Sequence, residues 1–577
     1  MGWRGKATEQ LIGAHHDARE IARSPMGGLL SREPPSEAGC SSELFRPSYH
    51  FTPPSGWMND PNGLIYHAGE YHLFYQHFPR GTTWGPMHWG HAVSRDLLHW
   101  HDLPIALAPD KLGFIFSGSV VHDGSQLVAI FTHHGDSQVQ SLAFSADRGR
   151  TWSKYAANPV LASAVFRDFR DPKVIWHAPT KSWVMTLAAG DRILFYGSSN
   201  LKQWRPLSEF GVGGDGAHGE GRTWECPDLF PLTHDGVTHW VLIVSVNGDG
   251  GPNGGSGTQY FIGRFNGTHF INANARTTVK WLDYGRDNYA AVTYSGRLPG
   301  DRVVAQGWLT NWIYANEVPT EGWRSGMTLP RSLHLVSAGH HGLVLASRPV
   351  AEVESLRVGS SHRLQPRHLP LLPGLAGSEH TQALKSLPPA HRIGLTGLHD
   401  AMRFELQLTI SSLTGWFGLE LSNGVHRHGA SESYRIGIDG QRRQVFSDRR
   451  QSRSSASTFC CNEGRSECDC FFREANAPYH RSGSGDGFIE LRVFVDASSV
   501  ELFVDGGVLV MSESFFPTRR FDRAAIVGHG FRLEAGRLHN LKSVTNRSEC
   551  AWEALRLADD DAMPEVSRAR RRRRREV

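Results

Sequence analysis

Three acidic residues stand in settings that restrict what they can do. Asp60 lies in Gly56-Trp-Met-Asn-Asp-Pro-Asn-Gly63. Pro61 biases Asp60 toward an extended backbone and an Asn-Gly turn follows, so its carboxylate is held rather than free. Asp171 lies in Phe169-Arg-Asp-Pro-Lys173, again ahead of a proline. The adjacent Arg170 is expected to depress its pKa and keep it ionised. A near-copy just upstream, Phe166-Arg-Asp168, lacks the proline and is set aside. Glu225 lies in Trp224-Glu-Cys-Pro-Asp228, where partial desolvation by the indole is expected to raise its pKa and suit it to donating a proton. Ionised and protonated carboxyl groups in one site are what acid-base and nucleophilic cleavage require. Alone, each motif also fits a bland role: a turn at Asp60, a structural ion pair at Asp171, an exposed strand-end glutamate at Glu225.

Something regular must bring these segments together, and the chain contains a repeat. Ser94-Arg-Asp-Leu-Leu-His-Trp100 recurs as Ser198-Ser-Asn-Leu-Lys-Gln-Trp204, with Ser145-Ala-Asp-Arg-Gly-Arg-Thr-Trp152 between them. The starting serines are 51 and 53 residues apart. Each copy follows a strand-like run and offers Asp, Asn or Gly for a tight turn. Gly263 to Phe270 is a degenerate fourth copy. Several strands per period of about 50 residues is the signature of a β-propeller blade, and residues 45–353 accommodate five.

Beyond the repeat, residues 354–389 are rich in Pro, Leu, Ser and Gly without a period and read as a linker. Strand periodicity returns at Phe404, Leu406, Leu408 and Ile410, and at Ile489, Leu491, Val493 and Val495. Asp505-Gly506 is a hairpin turn after Val500-Glu-Leu-Phe-Val504. A second all-β domain, a sandwich, is expected over 390–550, with a long insertion near 442–487. The fold class is thus all-β: a five-bladed β-propeller followed by a C-terminal β-sandwich.

Composition removes several classes of function. No apolar run approaches the ~20 residues that span a bilayer. The net charge of +4 is misleading, because seven arginines and one glutamate in residues 567–577 contribute +6 and leave the rest at −2. That tail, within an expected disordered segment 551–577, is read as a solvated charge run rather than a nucleic-acid site. Of the seven cysteines, Cys460, Cys461, Cys468 and Cys470 crowd into CC-x6-C-x-C, a poor match to zinc spacing and a better one to a disulfide-bearing insertion. The other three are Cys40, Cys226 and Cys550. Adjacent histidine pairs at His15-His16, His133-His134 and His340-His341 lack the partners of a helical zinc motif. No metal or organic cofactor is expected. Residues 1–44 read as a disordered extension without the apolar stretch of a secretory signal. Asn266-Gly-Thr268 and Asn546-Arg-Ser548 are glycosylation sequons.

The three acidic motifs, taken in order, resemble glycoside hydrolase family 32, the invertases, levanases and inulinases. Tyr71 to Gln76, Trp84-Gly85, Phe116 to Ser119, Asp283 to Ala290 and Gly307 to Trp312 extend the resemblance, as do Trp323, Met327 to Arg331 and Ser498 to Phe503. It covers about residues 47–541 and implies the same propeller and sandwich. It implies that Asp60 is the nucleophile, Glu225 the acid/base and Asp171 a transition-state stabiliser of a retaining β-fructofuranosidase. Asn59, Gln76, Trp84, Phe116, Ser117, Arg170 and Trp312 match positions lining the terminal fructose subsite. The implied partner is an oligo- or polysaccharide, with no nucleic acid or membrane, and the implied location is extracellular.

Gly254-Gly-Ser-Gly-Thr-Gln-Tyr-Phe-Ile-Gly263 resembles exo-acting inulinases and levanases, which favours fructans with sucrose as an additional substrate. Fructosyl transfer uses the same covalent intermediate, and a non-catalytic fructan-binding protein is the alternative outside enzymes. Retention of all three acids argues against the latter. A sialidase-like reading of Ser145 to Trp152 lacks the arginine cluster and tyrosine nucleophile. A phosphate loop at Gly248 to Gly257 lacks the Lys-Ser/Thr ending.

Overall fold

The Asp60 segment is the first strand of a sheet, and four later segments repeat its position. In the computed structural model, which describes residues 43–211, 221–339, 342–371, 391–398, 402–423, 431–452, 471, 473–479 and 487–544, five antiparallel sheets follow one another along the chain. Blade I contains Gly56–His67, Glu70–Phe78, His88–Ser94 and Trp100–Leu107. Blade II contains Phe114–His122, Leu127–His134, Gln138–Ser145 and Ser153–Lys154, with Leu161–Ala162 also pairing its third strand. Blade III contains Arg170–His177, Ser182–Ala188, Arg192–Ser198 and Arg205–Gly211. Blade IV contains Trp224–His234, Val237–Val246, Gly257–Phe265 and Phe270–Asn272. Blade V contains Tyr289–Thr293, Val304–Trp308, Arg331–Ser337 and Leu343–Pro349.

The first strand of each blade packs against the first strands of the blades on either side, so these five strands line the centre of a closed ring. Burial explains their composition. Gly56–His67 is buried over its first ten residues because both faces are covered, whereas Trp100–Leu107 at the rim is half open. Each repeated Ser-x-Asp/Asn segment links the third and fourth strands of its blade. Asp96 accepts the N–H groups of Leu98 and His99 at 3.0 and 2.8 Å, and the Trp100 indole donates to the Leu97 carbonyl at 3.0 Å. Trp152 and Trp204 repeat that bond to Gly149 and Leu201 at 3.0 and 2.9 Å. The degenerate copy forms the same connection in blade IV, where Asn266 accepts from Thr268 and His269.

The ring closes where blade V meets blade I. Tyr66 N–H donates to Ser295 and Ser295 N–H donates to Leu64, at 2.9 and 2.8 Å. Trp323–Arg324 adds in parallel to Gly56 and Trp57. Leu64, Tyr71 and Tyr75 of blade I share one apolar cluster with Leu298 and Val304 of blade V, and with Phe494, Phe503, Val510 and Leu541 of the second domain.

That second domain is a sandwich of two antiparallel sheets. One runs Arg357–Leu364, Phe531–Leu541, Phe404–Ser411, Ile489–Asp496, Ser499–Val504, Leu509–Ser514; the other runs His391–Gly394, Arg523–His529, Trp416–Ser422, Ser433–Asp439, Gln444–Asp448, Glu474–Pro478. The alternating residues Phe404 to Ile410 and Ile489 to Val495 face the shared core. Two expectations need correction. Residues 357–364 and 367–369, read as linker, pair with Phe531–Leu541, although their largely exposed, polar sequence carries no apolar period. The insertion near 442–487 is narrower than expected, because Gln444–Asp448 and Glu474–Pro478 within it are paired strands. The cysteines other than Cys226, His15-His16, His340-His341, Asn546 and the basic tail lie outside the described residues. Among the described residues no helix is long and apolar enough to cross a membrane.

Candidate active site

All five innermost strands carry the same irregularity. Met58 to Pro61, Ile115 to Gly118, Arg170 to Lys173, Glu225 to Asp228 and Tyr289 to Val292 each insert one extra residue against the second strand. A bulge bends its strand and re-aims the side chains beside it. Proline is tolerated there because the ladder is already interrupted, which places Pro61, Pro172 and Pro227. Asp171, Cys226 and Ala290 occupy equivalent bulge positions in blades III, IV and V, with φ of 63°, 46° and 53°. Non-glycine residues seldom adopt that left-handed conformation, so the ring holds strain at this level.

The bulges gather the acidic residues at one end of the central axis. Asp60 is buried, and Ser117 Oγ of blade II donates to its Oδ2 at 2.7 Å. Asn59 Nδ2 donates to its Oδ1 at 3.0 Å, and the Trp57 indole in turn fixes Asn59 Oδ1 at 2.7 Å. From blade IV the Cys226 thiol donates to Asp60 Oδ2 at 3.3 Å and to Asp171 Oδ2 at 3.7 Å. The Cys226 backbone N–H also donates to Asp171 Oδ2, at 3.0 Å. One residue thus touches both aspartates.

Arg170, Glu225 and Tyr289 stand at equivalent positions of blades III, IV and V and meet around the ring. Arg170 donates to Glu225 Oε1 through Nη2 at 2.8 Å and Nε at 3.2 Å. The Tyr289 hydroxyl donates to Glu225 Oε2, and Asn247 Nδ2 reaches the same oxygen at 3.3 Å. Arg170 Nη1 pairs with Asp168 at 2.5 Å and with Gln138 Oε1 at 3.2 Å.

Two sequence expectations fail here for spatial reasons. Asp168 is no idle copy, since it anchors the guanidinium that orients Glu225. The Trp224 indole packs against Phe210 and Phe261 in the blade core, so it does not desolvate Glu225.

Electrostatics correct a third expectation. The Asp171 carboxyl is pushed up to about 7 rather than depressed. Burial is the largest cause; Arg170 opposes it, while the charges of Glu225 and Asp60 add to it. Arg170 has three acidic neighbours, and its charge is shared among them. Asp60 is also raised, first by burial and then by Glu225, against the bonds from Ser117, Asn59 and Cys226. The Cys226 thiol is raised well above its ordinary value, by burial first and then by both aspartates, and remains a protonated donor.

The remaining residues expected from sequence form walls. Trp84, Phe116 and Trp312 are partly buried in one cluster with Trp57, Cys226, Tyr289 and Trp308. Trp312 stacks on Trp57 with centroids 6.0 Å apart, and Trp84 meets Phe116 edge-on at 6.1 Å. Gln76 lies on the second strand of blade I, buried, and its Nε2 has no hydrogen-bond partner among the described residues. Cys226, Asn247, Gln138 and Tyr289 were not singled out from sequence. Cys226 stood within a motif read for Glu225, and Tyr289 within a matching segment without a role. Gln138 had no local signal. Among the described residues no group of His, Cys, Asp and Glu is arranged to hold a metal ion.

Residues 50–349 match the glycosyl hydrolases family 32 N-terminal domain, and residues 375–544 match the family 32 C-terminal domain. The chain belongs to glycoside hydrolase family 32. Family 32 relatives include a levanase of Bacillus subtilis, 43% identical over 521 residues, which cover 87% of this chain and 71% of the levanase. The extracellular exo-inulinase inuE of Aspergillus niger is 35% identical over 554 residues, covering 87% of this chain and 95% of that enzyme. Among solved structures, the β-fructofuranosidase of Schwanniomyces occidentalis in complex with fructosyl-erythritol superposes with a TM-score of 0.74 at 29% identity, covering 88% of this chain and 99% of that one. As a family 32 protein the chain is a glycoside hydrolase with a β-propeller and a β-sandwich.

Proposed function

We propose that the protein is a retaining, exo-acting β-fructofuranosidase that removes terminal fructose from inulin- or levan-type fructans and from sucrose. The observation that carries this reading is that Asp60 and Glu225 stand close enough in the ring for their charges to interact, while Cys226 bridges Asp60 to Asp171. Asp60 attacks the anomeric carbon as the bond to the leaving oxygen breaks, and Glu225 delivers a proton to that oxygen. Water then attacks the same carbon, Glu225 takes its proton, and the bond to Asp60 breaks. Configuration is retained by the two inversions.

The surroundings support these roles. Donors from Ser117 and Asn59 fix the carboxylate of Asp60, so little reorientation remains before attack. Arg170 and Tyr289 hold Glu225 from opposite oxygens. Positive charge grows on the sugar in the transition state, and three acids answer it. Asp171 is assigned to the ring hydroxyls, in bonds that strengthen as charge develops. The Gln76 Nε2, which has no partner among the described residues, is assigned as a donor to a sugar hydroxyl, while Trp84, Phe116 and Trp312 present apolar faces. Exo action and an extracellular location rest on the likeness to the exo-inulinase and on the Gly254 to Gly263 segment.

Product analysis with sucrose, inulin and levan tests the reading, with Asp60→Ala as control. Free fructose from the polymers without intermediate oligomers is the expected result. Longer products mean a transferase, cleavage of sucrose alone means an invertase, and no reaction by folded protein means a fructan-binding module.

A further inference from the structure

Both tryptophan walls of the sugar pocket depend on one turn, residues 309–317, that follows the second strand of blade V. Trp312 belongs to the turn, and Asn316 Oδ1 accepts the backbone N–H of Trp84 at 2.9 Å. The turn is held from outside its own blade. Asn311 Nδ2 donates to the carbonyls of Ser256 and Arg286 at 3.1 and 2.9 Å, and its Oδ1 accepts the Ser256 N–H at 3.1 Å. At the far side of the turn, the Tyr314 hydroxyl donates to Asp287 Oδ1 at 2.5 Å. The other oxygen of Asp287 accepts from Arg449 Nη1 at 2.9 Å and from the Ser514 N–H at 2.7 Å. Arg449 and Ser514 belong to the sandwich: Arg449 directly follows the strand Gln444–Asp448 of one sheet, and Ser514 ends the strand Leu509–Ser514 of the other.

Arg449, Asp287, Tyr314 and Glu513 have no exposed surface. Buried charge is tolerated only when paired, and Arg449 is paired with Asp287 and with Glu513 at 3.1 Å. Its guanidinium lies 4.0 Å from the Phe471 ring centroid and 5.3 Å from that of Tyr314. Neither partner can shift without leaving charge uncompensated, so the position of Tyr314 is set by the second domain. A second buried cluster across the same interface joins the side chains of Arg331, Asp283, Glu501 and Ser512; it meets the first at the backbone, where the Ser512 carbonyl accepts the Asp287 N–H at 3.0 Å, and among the described residues none of these bonds reaches Trp84 or Trp312.

We infer that the β-sandwich positions the sugar-pocket tryptophans through Arg449, Asp287 and Tyr314, which are therefore positioning residues for the terminal-sugar subsite. The inference rests on the proposed pocket role of Trp84 and Trp312. Walls that contact substrate and transition state alike govern KM more than kcat. Tyr314→Phe keeps the ring packed on Phe471 and removes the hydroxyl's bond to Asp287 together with the two it accepts from Arg449 at 3.3 Å.

The experiment measures kcat and KM on sucrose for Tyr314→Phe, Trp312→Ala, their double variant and Ser512→Ala. Trp312→Ala and Tyr314→Phe are expected to raise KM, the latter roughly fivefold, with kcat within about twofold. The double variant is expected to match Trp312→Ala, because the two changes act on one wall. Ser512→Ala weakens the other cluster and is expected to lower the melting temperature without moving KM. If Tyr314→Phe does not fold, Asp287→Asn replaces it with the same expectation. Raised KM in Trp312→Ala but wild-type KM in folded Tyr314→Phe overturns the coupling alone. An additive double variant, or an equal KM rise in Ser512→Ala, does the same. Unchanged KM in Trp312→Ala overturns the pocket role and the coupling with it.

Discussion

A thiol buried between two carboxylates acts on them as a hydrogen-bond donor, and Cys226 holds that place for Asp60 and Asp171. Replacing it by alanine removes the thiol's stabilisation of the Asp60 carboxylate, so Asp60 titrates higher, while the backbone N–H to Asp171 is kept. Since Asp60 must be ionised to attack, the acid limb of kcat/KM in Cys226→Ala moves to higher pH, while Cys226→Ser moves it less; pH-rate profiles read this directly. An unmoved acid limb in folded Cys226→Ala would show that the thiol does not tune Asp60. Glu225→Ala is expected to lose about 10³-fold or more in kcat, with azide restoring part of the rate on an activated substrate. At this scale the sequence was legible where a proline marks the bulge, as at Asp60, Asp171 and Glu225. It was not legible where a role depends on which way a side chain points across the ring. Trp224 turns away from its neighbour Glu225, and Asp168 is recruited by an arginine that also serves another blade.

The bulges are the elements that turn five similar strands into one site. Gly118 shows how little room they leave. A Cβ there would lie 2.1 Å from the Ile130 carbonyl oxygen and 2.7 Å from the Phe131 Cα, so backbone rather than a flexible side chain must yield. Gly118→Ala is expected to cost about 1–3 kcal/mol of stability and to displace Phe116 and Ser117. Thermal melting together with kcat measures both effects. The turns between third and fourth strands were readable because their hydrogen bonds are local, from Ser, Asp or Asn to residues two to four along. The bulges were not, since a bulge is a relation between two strands and appears only in their register. For the same reason residues 357–369, which are polar and largely exposed, hid their pairing with Phe531–Leu541.

Across the whole molecule, stability is bounded on both sides of neutrality. His50 lies between Asp496 and Glu501 at 2.8 and 2.9 Å in the domain interface. Burial lowers its pKa, but the bonds to the two acids reverse this and raise it from 6.5 to about 9. A raised histidine pKa stabilises fully below about 6.5, and that stabilisation, on the order of 3 kcal/mol, is lost as pH rises through 9. His72, His77 and His133 are lowered to about 4, chiefly by burial, and act in the opposite sense. Their stability is present above 6.5 and lost as pH falls toward 4. Denaturant midpoints between pH 4 and 10 should therefore peak near neutrality, and His50→Gln should flatten the alkaline side alone. The propeller and sandwich were legible in outline, from the repeat and from the strand periods, but not the ionic contacts that join them. Those contacts bear on the closure of the ring. Among the described residues, the far end of the ring meets blade I through the Tyr66, Ser295 and Leu64 backbone bonds and laps onto it through Trp323 and Arg324, and the apolar surface across that join is completed by Phe494, Phe503, Val510 and Leu541. The second domain is a buckle on a collar rather than a pendant. Cutting the chain between the two halves should yield no self-sufficient catalytic fragment, and calorimetry should record one melting event where independent halves would give two.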